Sequence, residues 1–385
     1  MIHHAIRVLE ILSVATTCSS IAYYLLSIYS AAAFRRKRPE ETTGFTPPVS
    51  ILKPLKGTDP EMYDSFRSHC LQDYPEYEII FGVSDPDDPT VELVNRLKRE
   101  FPERLVRLVI CRNNLGTNTK VSNLVQMCAE ARHEYLIVND SDIRVAPGYL
   151  RETLAPLRDR KIGLVTCLYR GVANETFGSK LEALGISTDF CAGVLVAQQL
   201  EGIRFGLGST LAFRQRDLSA SGGFEALVDY LADDYQIGRR ITGLGLEAKL
   251  SSTVVETVLP RYTFRAFLSH QLRWARTVRD SRFWGYVGLG FTHGLLWGLL
   301  ALLLGQGATW AWMLLASVTF ARFVMALVVG YWTLRDKQVI RFLPIIALRD
   351  CVAFLVWIVS FMGNTVVWRG TTFKLKNGKL ARAGL

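Results

Sequence analysis

Three acidic groups follow one another along the chain: Asp85-Pro86-Asp87-Asp88, Asp140-Ser141-Asp142 and Asp233-Asp234. After them comes His270-Gln271-Leu272-Arg273-Trp274. Binding and activating a sugar diphosphate requires carboxylates for a hard divalent cation, a separate carboxylate to take a proton, and a cation near the departing phosphate. Residues of all three kinds are present in one stretch. Asp140 and Asp142, at i and i+2, suit a shared metal ion that also binds a diphosphate; the same residues also read as a solvated loop. Asp233 and Asp234 open a helical stretch, where one acid suits a cap and the other a general base. Asp85 follows an apolar run and suits a contact to a nucleobase or ribose, although Asp and Pro are equally turn residues. Lys120 and Asn123 lie just after Gly116-Thr117-Asn118, near a helix start, a placement that suits a diphosphate or a uracil as well as open solvent. Gly206-Leu207-Gly208-Ser209 reads either as a close approach to a ligand or as a turn.

These residues must be positioned by the segments around them. From Val49 to about Thr257, short aliphatic runs alternate with helix-length polar–apolar stretches. The runs cover residues 49–52, 77–83, 105–111, 135–138 and 163–168, and the helical stretches include 60–71, 90–100 and 117–131. Such alternation predicts an α/β domain with a mostly parallel sheet, whose ligands bind beyond the carboxyl ends of the strands. Asp85 and Asp140 fall there.

Outside this domain the chain is apolar. Residues 11–34 carry no charge and are long enough to cross a bilayer, and Arg35-Arg36-Lys37-Arg38 follows at once. Ala31-Ala32-Ala33 resembles a signal cleavage site, but the cationic block marks a retained anchor with the following domain in the cytosol. A second uncharged run, 283–321, divides naturally at Gly305-Gln306-Gly307. A third, 351–368, is marginal in length, preceded by Pro344 and by Arg349-Asp350, for which Arg322 is a partner. The basic tail, with Arg369, Lys374, Lys376, Lys379 and Arg382, is also placed inside. An even number of crossings then follows residue 282, so the segment 342–368 is predicted to be re-entrant or interfacial. The expected division is an anchor at 1–38, a catalytic domain at 39–257, an amphipathic interfacial helix at 258–282, a membrane region at 283–368 and a cytosolic tail at 369–385.

The formal net charge of +10 is carried largely by cations beside apolar segments, where they meet anionic head groups. No zinc-finger, RNA-recognition or helix-turn-helix pattern is present, so nucleic acid is not the expected partner. Seven cysteines without a CxxC pair suit a reduced compartment. The sequence does not address oligomeric state.

Taken together, Val49-Ser50-Ile51-Leu52-Lys53-Pro54-Leu55, Asp85 to Pro89, Lys120 with Asn123, Asp140-Ser141 with Ile143-Arg144-Val145, Asp234-Tyr235 and Arg273-Trp274 resemble the ceramide glucosyltransferase family (family 21) of the glycosyltransferase family 2 clan. The family's three aspartates fall on Asp85, Asp140 and Asp234. Its (Gln/Arg)-x-x-Arg-Trp motif falls on 270–274, with His270 departing from the pattern. The resemblance implies a GT-A nucleotide-diphospho-sugar transferase fold with transmembrane helices at both ends, a UDP-sugar donor, Mg²⁺ or Mn²⁺, and inversion at the anomeric carbon. It implies catalytic roles for Asp234, Arg273 and Trp274. Lys53, Asp85, Lys120, Asn123, Asp140 and His270 then bind the nucleotide sugar, and Asp140 and Asp142 hold the metal. The overall look is similar to the family's bacterial, hopanoid-associated branch, so the favoured acceptor is a bacteriohopanetetrol-type lipid, receiving N-acetylglucosamine or glucose at the inner membrane. Ceramide is the alternative acceptor. A processive polysaccharide synthase and a non-catalytic sugar-nucleotide-binding scaffold are the alternative classes.

Overall fold

The computed structural model describes residues 1–37, 44–59, 61–368 and 370–382. Arg38 of the cationic block, Pro60 of the first predicted helix and Arg369 of the tail lie outside the described residues. The chain forms two compact units.

The sheet unit comprises 37–174, 201–261 and 378–385. Its main sheet has, among the described residues, eight strands, β1 (Val49–Pro54), β2 (Tyr77–Val83), β3 (Leu105–Ile110), β4 (Tyr135–Val138), β5 (Ile143–Arg144), β6 (Ile162–Val172), β7 (Leu211–Arg214) and β8 (Glu247–Val258), in the order β3-β2-β1-β4-β7-β6-β8-β5. The half β3-β2-β1-β4 is parallel, β7 is antiparallel to β4 and β6, and β6 and β8 are parallel. β1 and β2 are buried at every position, so both faces need cover, which explains their unbroken apolar runs. One face packs on helices Met62–Cys70, Thr90–Glu100 and Tyr149–Leu154 through Phe66, Val94, Leu97 and Tyr149. The other packs on helix Thr119–Ala129 and on Leu218, Phe224, Ile237 and Ile241. The strand order reverses at β1, between β2 and β4, and such a reversal opens a crevice at the carboxyl edge.

The strand Lys379–Arg382 belongs to this unit as well. Leu231 N–H donates to Gly378 O, Leu380 N–H donates to Asp229 O, and Thr117 Oγ1 donates to Leu380 O.

The helical unit comprises 1–36, 175–200 and 262–377. Among the described residues, four of its helices are long and apolar enough to cross a membrane: His3–Arg36, Phe177–Glu201, Thr309–Thr333 and Gln338–Ser360. A bent pair, Phe283–Thr292 with Gly294–Leu304, would make a fifth, broken by 55°. The turn joining it to Thr309 has positive φ at Gln306 and Gly307, at the predicted division. The helix Phe177–Glu201 departs from the contiguous domain expected at 39–257. Lys180, Glu182 and Asp189 hide its apolar character in the sequence, because those charges are absorbed inside the unit, where most of the helix is buried.

Arg322 meets Asp350 in a two-pronged pair, Nε to Oδ2 at 2.9 Å and Nη2 to Oδ1 at 2.7 Å, with Asp189 Oδ1 at 2.5 Å. Pairing of this kind is what makes buried charge tolerable among apolar helices. At the other end of the first helix, Arg35 lies 4.3 Å over the Trp332 ring and donates to Trp332 O.

Candidate active site

β4 ends at Val138, and the next residues carry the chemistry. Asn139 is buried, and its Nδ2 donates to Ser209 O at 2.7 Å and Tyr149 Oη at 2.9 Å, tying the strand end to the glycine loop. Asn139 Oδ1 faces His69 Nε2 at 3.3 Å, and His69 is held neutral by burial and by the nearby Lys53 charge. Lys53, fully buried on β1, donates from Nζ to the Asp140 main-chain O at 2.9 Å. Burial lowers its pKa to about 7, against the pull of Asp142 and Asp140. It braces the site from beneath; its Nζ contact is with protein, where the sequence suggested the nucleotide.

Above that base four carboxyl groups gather. Lys120 Nζ lies 2.8 Å from Asp140 Oδ1 and 3.1 Å from Asp233 Oδ2. Burial works against the Lys120 charge, but Asp140 and Asp233 outweigh it and raise the ammonium above its ordinary value. Asp142 Oδ2 accepts from Thr257 Oγ1; burial and then Asp140 push its carboxyl up to about 6. Asp234 Oδ1 accepts from the Tyr235 N–H at 2.7 Å, and burial followed by Asp233 raises its pKa to about 6. Asp233 is raised as well, chiefly by burial.

Gly208 is where these groups meet. A methyl group there would lie 3.0 Å from Asp140 Oδ2 and 3.4 Å from Asp234 Oδ2, so both carboxylates face the same small space. Gly206 brings the loop onto the first turn of helix Asp233–Gly243: its N–H donates to Asp234 O at 3.2 Å, and a Cβ would meet that oxygen at 2.9 Å. Gly238, one turn later, packs on Phe205 and Gly206 with no room for a side chain. Gly206-Leu207-Gly208-Ser209 makes a turn, with Thr210 N–H donating to Leu207 O at 3.0 Å, and that turn lies close against the carboxylates.

Asp85 follows β2 and is exposed, its Oδ1 accepting from the Asp87 N–H at 2.9 Å. Asp88 serves the turn, accepting from Gly57 N–H and from Thr90. β1 lies between β2 and β4, so Asp85 and Asp140 open onto the same edge. Asn123 is buried, its Oδ1 accepting from Ser84 Oγ at 2.8 Å beside Asp85. Asn118 caps the helix that carries Lys120, accepting from Val121 N–H while donating to Tyr230 O. Thr117 donates to Asp229 Oδ1, which joins the Lys120 loop to the loop before Asp233. Asn139, His69, Thr257 and Asp229 were not found from the sequence; each is an ordinary polar residue until its partner is known.

His270, Arg273 and Trp274 belong to helix Phe264–Ser281 of the helical unit. His270 Nδ1 lies 3.0 Å from Glu182 Oε1, and its ring stacks on Tyr262 with centroids 5.5 Å apart. Trp274 lies 4.9 Å from His270 and 6.3 Å from Phe190.

The profile of glycosyl transferase family 21 matches residues 12–381. The chain belongs to glycosyl transferase family 21. Family 21 relatives include ceramide glucosyltransferase 3 of Caenorhabditis elegans, 24% identical over 377 residues, covering 94% of this chain and 79% of the relative. Ceramide glucosyltransferase of Komagataella phaffii is 29% identical over 157 residues, 39% of this chain and 31% of the relative. Among solved structures, the mannosyltransferase PcManGT from Pyrobaculum calidifontis, in complex with GDP-Man and Mn²⁺, superposes with a TM-score of 0.56 at 19% identity, over 92% of this chain and 99% of that one. The fold of this family 21 chain is thus the GT-A type, and the chain is a nucleotide-sugar glycosyltransferase.

Proposed function

We propose that this chain moves one hexosyl group from a UDP-sugar to a hydroxyl of a ceramide-type membrane lipid, with inversion. The observation that carries the reading is the convergence of Asp140 and Asp234 over Gly208 in a family 21 chain. The relatives are named for ceramide, so the preferred acceptor changes from hopanoid to ceramide and the preferred sugar to glucose.

Asp234 takes the acceptor proton. Its Oδ1 is engaged by the Tyr235 N–H, and its Oδ2 is directed to the space over Gly208. A carboxyl raised toward neutral pH is a stronger base than an ordinary surface aspartate. Lys120 exchanges Asp140 for a phosphate oxygen when the donor binds. Arg273 and Trp274 are assigned to the leaving diphosphate by the motif they match.

The carboxylate excess fits a divalent cation. Asp140, Asp142, Asp233 and Asp234 gather with Lys120 and Lys53, and burial first, then a neighbouring carboxylate, drives Asp142 and Asp234 upward. Among the described residues no three acids, histidines or cysteines are arranged to hold a metal, so donor oxygens and water complete the shell. Asp140 and Asp142 would hold Mg²⁺ or Mn²⁺, which offsets charge on the departing UDP. The sheet unit is cytosolic, on the side of Arg35 and Arg36.

The test supplies purified protein with labelled UDP-glucose or UDP-N-acetylglucosamine and either ceramide or bacteriohopanetetrol. Label in chloroform-extractable glycosylceramide supports the reading. Label on bacteriohopanetetrol alone restores the hopanoid acceptor, insoluble labelled polymer points to a synthase, and absence of UDP release with every acceptor rejects transfer.

A further inference from the structure

The helical unit contains a second polar cluster, built without any of the four aspartates. Helix Phe177–Glu201 presents Glu182, Gly185 and Asp189 to helix Phe264–Ser281 and to Arg349 of Gln338–Ser360. Glu182 is 1% exposed, and both its oxygens lie near His270 Nδ1, Oε1 at 3.0 Å and Oε2 at 3.2 Å, with Oε1 making no aligned hydrogen bond. Arg349 is 8% exposed; its Nε has no partner, and Nη2 makes only two long contacts, 3.4 Å to Asp189 Oδ2 and 3.4 Å to Gln271 Oε1. Asp189 Oδ2 likewise lacks a hydrogen bond.

Buried polar atoms left unsatisfied are uncommon, and three at one place point to a ligand or water that completes them. Two features indicate that the place is built. Gly185 lies directly against the guanidinium: a Cβ would stand 2.3 Å from Arg349 Nε and 2.4 Å from Nη2. The helix also widens into a π turn at Ile186–Phe190, a feature frequent at functional sites, and that turn carries Asp189. His270 and Trp274 supply an aromatic flank.

We infer that this cluster seats the headgroup of the lipid acceptor, a neutral group bearing hydroxyls and an amide. The inference rests on the transfer reading above and specifies its second substrate. Two carboxylate oxygens, Glu182 Oε1 and Asp189 Oδ2, accept hydroxyl or amide protons, and Arg349 Nε donates to a hydroxyl or carbonyl oxygen. Ionised phosphate oxygens have no proton to give Glu182 Oε1 or Asp189 Oδ2, so a headgroup with hydroxyl or amide protons is preferred to an anionic one.

The experiment uses the full chain in lipid nanodiscs with a short-chain ceramide carrying a photoactivatable diazirine beside its amide. Cross-linked peptides are mapped by mass spectrometry. Labelling should fall within 177–201 and 264–281, be competed by unlabelled ceramide, and resist phosphatidylglycerol. Gly185→Ala and Gln271→Ala should each cut that labelling about tenfold or more, with UDP affinity reporting that the fold survives; if Gly185→Ala misfolds, Gln271→Ala decides. Labelling elsewhere, unchanged labelling in a folded variant, or equal competition by phosphatidylglycerol would overturn the site. Ceramide bound here but never glycosylated would sink the transfer reading and leave the site standing.

Discussion

At the scale of single residues, Asp234 carries the sharpest expectation. A positioned general base contributes roughly 10²- to 10⁴-fold to a rate. Asp234→Asn retains an oxygen for the Tyr235 N–H, so the variant should fold and bind UDP normally while turnover falls by about that factor. Near-normal turnover would remove Asp234 from the reaction. Its pKa near 6 sets the pH response. Below that value the group is protonated and cannot accept a proton, so kcat/KM should fall on acidification through pH 6, about tenfold per unit. Asp234→Asn should lose this dependence, and an unchanged acidic limb would assign it to another group. Removal of divalent metal gives a third check. Activity should disappear in EDTA and return with Mg²⁺ or Mn²⁺, whereas full activity in chelator would leave Lys120 and the other cations as the only charge on the leaving group.

At the scale of elements, the glycine loop 205–209 is as important as the acids it brings together. Gly206→Ala would place a methyl group 2.2 Å from Leu211 Cδ2 and 2.9 Å from Asp234 O. Forced overpacking of this kind costs about 1–3 kcal/mol. The helix start must shift, so transfer should fall far more than UDP binding; equal loss of both would mean general unfolding. This loop also shows what the sequence made legible. β2 and β4, the helix Thr90–Glu100 and the placement of Asp85 and Asp140 at strand ends followed from periodicity, because buried parallel strands write their burial directly into composition. The contact between loop 205–209 and helix Asp233–Gly243 joins segments far apart in the chain. Local patterns do not encode such a pairing, and glycine alone left turn and close approach equally open. The helix Phe177–Glu201 was missed for a related reason. Glu182 and Asp189 read as surface charge until His270 and Arg322 are seen beside them.

For the whole molecule, connectivity restricts the membrane path. With the sheet unit on one side of the membrane as proposed, Phe177–Glu201, flanked by Asn174 and Glu201 of that unit, is expected not to cross, despite its length and apolarity. Arg261 and Gly378 belong to that unit too, so on the same reading an even number of crossings is expected between them. Leu304, Gly305 and Gln306 share a cleft with His3, His4, Arg7 and Glu10 at the start of the first helix, and Trp332 meets Arg35 at its end. With the sheet unit cytosolic as proposed, the bent pair is expected to run toward the outer side and Thr309–Thr333 to return, with Gln338–Ser360 as the segment expected not to cross. With native cysteines replaced, Gln306→Cys should react with a membrane-impermeant maleimide in intact cells, and Lys379→Cys should not. Ready labelling at 379 would reverse this topology.

The strand Lys379–Arg382 has a consequence for biosynthesis. It supplies backbone partners to the loop at Asp229–Leu231 and to Thr117, the two loops that lead to Asp233 and Lys120. Those partners emerge from the ribosome only after every apolar helix of the chain has been made. A nascent chain halted before that strand is made holds Asp140, Asp233 and Asp234 yet lacks the backbone partners of two of their loops, so the proposed site is expected to be completed only after the described apolar helices are synthesised.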